Sequence, residues 1–198
     1  MTRKRIVAIV LAIALTVGVG VAGGAIVRSM DSPSVDKLTV HGQWTIVVHN
    51  KRGKVVARRH FENALVPGGA GLLSQLLSRQ ISAGSWGVNI GFGAIVDATN
   101  SASDSPPFYK NLVVSAPTTG PDANKLVLSG NATPSSNVTI GNVDTYLGSC
   151  SGAPGSCTSN PAGTQFTHKT LDGLNGDPAA VNVAAGQQVA VTVKLSFS

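Results

Sequence analysis

Ile6 to Val27 is a run of 22 residues without one charged side chain, held between Arg5 and Arg28. Such a run cannot form the surface of a domain in water. As a helix rising ~1.5 Å per residue it reaches roughly 33 Å, enough to cross a hydrocarbon core of ~30 Å. A buried helix of a soluble core would carry a polar side, and this run offers only Thr16. Arg3, Lys4 and Arg5 precede it, so the positive-inside rule keeps the N-terminus in the cytoplasm and sends the rest outward. Two fates fit. A retained single-pass anchor suits the full length. A cleaved secretory signal would use Ile6–Leu15 as its apolar core and Gly20/Ala22 or Gly23/Ala25 as the small pair before the cut. The expected organisation is a signal anchor or signal peptide over 1–28, a polar linker over 29–37 and an extracytoplasmic domain over 38–198. The expected location is the cell membrane with the C-terminal domain outside, or the secreted fraction if the segment is removed.

The formal charge of +6 suggests nucleic acid until its distribution is considered. Residues 1–60 carry ten Lys and Arg against two Asp, whereas 61–198 carry five against seven acids. Part of the excess belongs to the membrane end. Five more cations, Lys51, Arg52, Lys54, Arg58 and Arg59, crowd one stretch with no interleaved aromatic residue. They are candidates for contact with an anionic surface, or a solvated hairpin tip whose charge discourages edge pairing. Nucleic acid is not an expected partner.

Cys150 and Cys157 enclose Ser-Gly-Ala-Pro-Gly-Ser, and no His, Asp or Glu falls between Asp144 and His168. Zinc needs a fuller ligand set at known spacings. A local disulfide in an oxidising compartment is the expectation, and no metal or cofactor is expected. Asn131-Ala-Thr133 and Asn137-Val-Thr139 match the glycosylation acceptor pattern.

The remaining pattern is that of strands. Trp44, Ile46 and Val48 alternate with Thr45, Val47 and His49, and Asn50-Lys51-Arg52-Gly53 supplies a turn before Val55 to Phe61, which predicts a hairpin. Val189, Val191, Val193, Leu195 and Phe197 share one face of a final strand led by an Ala185-Gly186-Gln187 turn, with Val181 and Val183 on the strand before it. Leu126/Leu128 and Val138/Ile140 mark two more strands, separated by Pro134-Ser135-Ser136, and Phe166–Leu171 is a weaker candidate. Leu72, Leu73, Leu76 and Leu77 within 69–80 predict one short amphipathic helix after Pro67. Trp86 to Gly93 reads as a strand whose large residues, Trp86, Val88, Ile90 and Phe92, share one face. Gly87, Asn89, Gly91 and Gly93 lie on the other, bare enough for a backbone or the Leu-rich helix to approach.

This order, with Phe61-Glu62-Asn63-Ala64-Leu65-Val66 leading into Gly68-Gly69 and the helix, then the Val88–Gly93 strand and a closing strand entered from Gly186-Gln187, resembles small β-sandwich proteins among the minor structural and tail-fibre components of tailed phages. The resemblance spans about 40–198. It implies an architectural role and carries over no catalytic residue. A membrane segment and a Cys150–Cys157 loop depart from that pattern and suggest a related module displayed on a cell envelope.

The expected fold is thus mainly β: an antiparallel sandwich of about seven or more strands with one short helix. Ligand or partner contacts are expected in the long loops at 94–111 and 148–163. No catalytic set is nominated. Asp172 or Asp144 could serve His168, but no Gly-x-Ser-x-Gly elbow is present, and one Glu with scattered Asp residues suggests no glycosidase pair. The expected function is a non-enzymatic surface or structural module acting through self-association or contacts with other envelope or virion proteins. The alternative is an adhesin-like or carbohydrate-binding module, for which Phe108 and Tyr109, following Pro106-Pro107, form the candidate contact.

Overall fold

Alternation of apolar and polar residues is realised most fully in the first hairpin. In the computed structural model, which describes residues 39–97, 108–150 and 163–198, β1 (Val40–His49) and β2 (Val55–Leu65) pair antiparallel. Trp44, Ile46 and Val48 are fully buried, and Trp44 stacks on Phe61 with centroids 6.0 Å apart. Asn50 closes the turn: its Oδ1 accepts the N–H groups of Arg52 at 2.9 Å and Lys54 at 3.0 Å, and Gly53 takes φ +77°. The run Ile6–Val27 lies outside the described residues. Among those described, no helix is long and apolar enough to cross a membrane.

The helix α1 (Pro67–Leu77) starts with Pro at its first turn, where the missing N–H costs nothing. After it come β3 (Ser82–Asn89), β4 (Ala94–Val96), β5 (Phe108–Tyr109), β6 (Val113–Ser115), β7 (Leu126–Ala132) and β8 (Val138–Ile140). The chain closes with β9 (Asn142–Cys150), β10 (Thr164–Thr170), β11 (Val181–Val183) and β12 (Gln188–Phe197). Ten of these strands form one sheet in the order β5-β4-β3-β9-β10-β2-β1-β12-β7-β6, and β11 and β8 form a separate ribbon. The β4–β5 pair is parallel, so the sheet is mixed rather than wholly antiparallel.

The sheet curls until its edges meet. Leu112 N–H donates to Val96 O at 3.0 Å, next to β4. One residue earlier, Asn111 exchanges hydrogen bonds with Asn131 on β7, each 2.9 Å long. A Cβ on Gly130 would stand 2.6 Å from Ile95 Cγ2, so β7 has bare backbone where β4 crosses it. The core fills the curl with Val189, Val191, Val193 and Leu195 of β12, Leu128, Val143, Leu147 and Phe166. Ile140, Val181 and Val183 of the ribbon join the same cluster.

Three further expectations change. Trp86–Gly93 is not one strand: β3 stops at Asn89, whose Oδ1 accepts Gly91 N–H at 2.9 Å while Gly91 turns at φ +83° into β4. The helix does not approach that glycine face either. It docks on β10, where a Cβ on Gly69 would stand 2.8 Å from Phe166 Cα. Phe197 continues the apolar alternation but is 46% exposed at the strand end.

The long strands give the domain two ends. Thr39 and Ser198 bond each other's backbone in both directions, at 2.7 and 3.0 Å, and Val40 pairs with Phe197. At the other end of the same ladder His49 pairs with Gln188. At ~3.3 Å per residue, the ten residues of β1 separate the point where the chain enters from the Asn50–Gly53 turn by roughly 30 Å.

Candidate functional site

Two adjoining cavities, of about 530 and 420 Å³, open at this far end and share Ala184 and Gln187 as lining. Three elements converge there. The ribbon contributes Asn137, Thr139 and Asn182, the turn before β12 contributes Ala184, Ala185 and Gln187, and the first hairpin contributes Asn50, Lys51 and Arg52. They meet because Gly186 N–H donates to Pro134 O at 2.9 Å and because the aliphatic stem of Lys51 crosses Gly186. A Cβ at 186 would lie 2.8 Å from Lys51 Cε, and the backbone there takes φ +76°. Glycine suits both requirements.

The amides in this cleft are oriented by their neighbours. Gln187 Oε1 accepts Ala184 N–H at 2.8 Å, and Asn137 Oδ1 accepts Ala185 N–H at 3.0 Å. A backbone N–H can only donate, so the oxygen of each amide faces the chain and its NH2 is left for the cleft. Asn182 Oδ1 accepts the Thr139 hydroxyl at 2.9 Å, which leaves its NH2 similarly disposed. With Lys51 and Arg52 at one end and no acidic or aromatic lining residue, the described cleft is rich in donors and positive charge.

The five cations do not form one patch. Lys51, Arg52 and Lys54 are exposed at the hairpin tip, and Arg58 is exposed on the strand. Arg59 alternates to the other side, half-buried, and donates through Nε to Ala179 O at 3.2 Å and through Nη1 to Arg58 O at 3.0 Å.

Phe108 and Tyr109 are both half-buried in β5. Tyr109 meets Phe92 edge-on at 6.3 Å and donates its hydroxyl to Thr133 O at 3.4 Å, and burial pushes its phenol above the ordinary tyrosine value. These contacts tie β5 to the neighbourhood of β7. Cys150 is buried at the end of β9, while Cys157, its expected partner, lies outside the described residues, as do 98–107 and 151–162 of the two long loops. Asn131 is engaged by Asn111, and Asn137 is committed to the turn before β12.

The His168–Asp144 pairing is realised in the structure. β9 and β10 bring Asp144 and His168 side by side on the face opposite the core, with Nδ1 and Oδ1 2.5 Å apart. Gln165 Nε2 donates to the same Oδ1 at 2.6 Å, Asn142 Nδ2 donates to Oδ2 at 3.2 Å, and the Asp144 side chain is 3% exposed. The carboxylate fixes the imidazole tautomer and leaves Nε2 3.4 Å from Thr170 Oγ1. Carboxylate, imidazole and hydroxyl therefore stand in sequence. However, Thr170 is simply the next residue on that side of β10, and no described cavity is lined by any of the three. The arrangement holds the histidine against a buried carboxylate. No group of three or more potential metal ligands occurs among the described residues.

Comparison with family models, curated proteins and solved structures returns no match to this chain. What defines the molecule is its own geometry: a curled β domain with an amide-lined, cation-edged cleft opposite its point of entry. The amides were not legible as a site, because Asn137 and Asn182 approach only when β8 pairs with β11 across some forty residues of chain.

Proposed function

We propose that this chain is a non-enzymatic surface or structural module, membrane-tethered or secreted, that acts through assembly or partner contacts in the manner of phage tail-type proteins. Its β domain is read as sandwich-like, with the curl of the sheet supplying two facing layers. The observation that carries this reading is the separation of ends: the chain enters at Val40, beside Phe197, and the cleft with the Asn50–Gly53 turn lies at the opposite end. Ile6–Val27 supplies the membrane contact, or the export signal if it is cleaved, and Cys150–Cys157 would close the 151–156 loop outside the cell. Protease treatment of intact cells tests the placement. Cleavage of the β domain supports it, whereas full protection together with recovery in the cytosol refutes it. Mass spectrometry of the mature N-terminus separates the fates, since a start near 23–26 means a released domain. Light scattering on the purified chain reads self-association.

The cleft favours a second reading, an adhesin-like or carbohydrate-binding module. It places hydrogen-bond donors where a polyhydroxylated or anionic ligand would need them.

A further inference from the structure

We infer that the cleft between the β8–β11 ribbon and the first hairpin is a binding site for an acidic polysaccharide, one bearing carboxylates or sulfates. This rests on the reading of the domain as a displayed binding module and names its ligand class. Asn137 and Gln187 each spend their amide oxygen on a backbone N–H of the same turn, at 3.0 and 2.8 Å, so both present NH2 groups. Asn182 adds a third amide, its oxygen held by Thr139. Lys51 is laid across Gly186 and, with Arg52, lines the cavity on the hairpin side. All these groups donate, and among the described residues no carboxylate lines the cleft to compete for them. Oxyanions accept such bonds strongly, and cations at the edge raise their local concentration.

The shape selects among anions. The two cavities adjoin, with Ala184 and Gln187 lining both, and side by side they offer a trough for successive units of a chain. Single-stranded nucleic acid is held by aromatic platforms as well as cations, and among the described residues no aromatic side chain lines this trough. Neutral sugars are commonly gripped by the same stacking, so the donor set is matched to acidic ones.

The test uses the purified full chain in detergent, with polygalacturonate and dextran sulfate as acidic probes, dextran as the neutral control and oligo-dT as the nucleic-acid control. Binding of at least one acidic probe, weakening as salt rises, is expected, with dextran at least tenfold weaker. Asn137→Asp and Gln187→Glu keep the oxygen that each backbone N–H requires and replace the NH2 with an anionic oxygen. Each should lower acidic-probe affinity at least tenfold without shifting the melting temperature, and Lys51→Gln should lower it severalfold. The inference is overturned if neither acidic probe binds, if both carboxylate variants bind like the parent, or if oligo-dT binds equally tightly through the same residues. Protease accessibility on cells reads the display proposal separately. An accessible domain that ignores both acidic probes refutes the ligand class alone.

Discussion

Asn63 donates through Nδ2 to Thr167 Oγ1 at 2.8 Å, and Thr167 shares its other hydrogen bond with Thr145 Oγ1 at 2.7 Å. All three side chains are buried, and together they cross β2, β10 and β9 on the core side of the sheet. Since Thr167 Oγ1 accepts from Asn63, its own proton is available to Thr145. Thr167→Val keeps the shape and leaves two buried polar groups without that partner, each costing about 1–3 kcal/mol. Urea unfolding should show a loss of about 2 kcal/mol or more. Replacing all three residues by apolar ones of similar size should recover much of the loss, because no polar group is then stranded. A triple variant no more stable than Thr167→Val would show that the chain of hydroxyls is itself needed for packing.

The other end of Asn63 makes a second prediction. Its Oδ1 is buried without a hydrogen-bond partner and lies over Gly42, where a Cβ would collide with it and stand 3.3 Å from Leu195 Cδ2. Gly42→Ala should destabilise by about 1–3 kcal/mol through overpacking. Shortening Asn63 to Ala in the same chain removes the obstacle. The double variant should therefore be more stable than the sum of the two single losses predicts, by about 0.5 kcal/mol or more. Strict additivity in the urea midpoints would count against this contact.

These two positions show what the sequence hides. β1 and β12 were legible because each has one buried side, so apolar residues recur at every second position, whereas Arg59 and Asn63 interrupt that side of β2 and its turn gave the hairpin away. β9, held between β3 and β10, has buried residues on both of its faces. Val143, Asp144 and Thr145 are buried in succession, with Leu147 buried beyond the half-buried Tyr146, and their mixture of polar and apolar residues gives no period to read. β4, β5 and β6 span only two or three residues and exist through their pairing. The 86–93 alternation was misleading because Gly91, taken for a bare strand position, is needed for its positive φ. The cations of the cleft were visible as a cluster in the chain, whereas its amides acquire meaning only when the turn at 184–187 orients them.

Asp122 carries the acid-range prediction. Lys194 on β12 reaches it at 2.8 Å and Lys125 at 3.5 Å, and the hydrogen bond from Lys194, foremost, holds its carboxyl below the usual value. A carboxyl depressed on folding contributes stability above its unfolded pKa of ~3.9, and that contribution is lost as pH falls through the lower folded value. Carboxyl-carbon NMR should show Asp122 titrating below a free aspartate, and Lys194→Met should move it back up. No movement in the variant would assign the depression to another group. The side chain is a quarter exposed, so salt should weaken the effect.

Gly69 and Gly71 lie two residues apart on α1, and the same substitution should act on them in opposite directions. Gly71 is exposed, and a Cβ there meets nothing within 4 Å. Gly71→Ala therefore gains helix propensity and should stabilise by about 0.5–1 kcal/mol. Gly69 is buried against β10, where an added Cβ would lie 2.8 Å from Phe166 Cα and 2.9 Å from Leu65 Cδ1. Backbone in a central strand cannot yield, so Gly69→Ala must lift the N-terminal half of α1 and should cost about 1–3 kcal/mol despite the better propensity. Amide exchange distinguishes the two: protection across Pro67–Leu77 should fall in Gly69→Ala and persist in Gly71→Ala. If both variants were stabilised, the close seat of α1 on Phe166 would have to be abandoned, and with it the reason that residue 69 is a glycine.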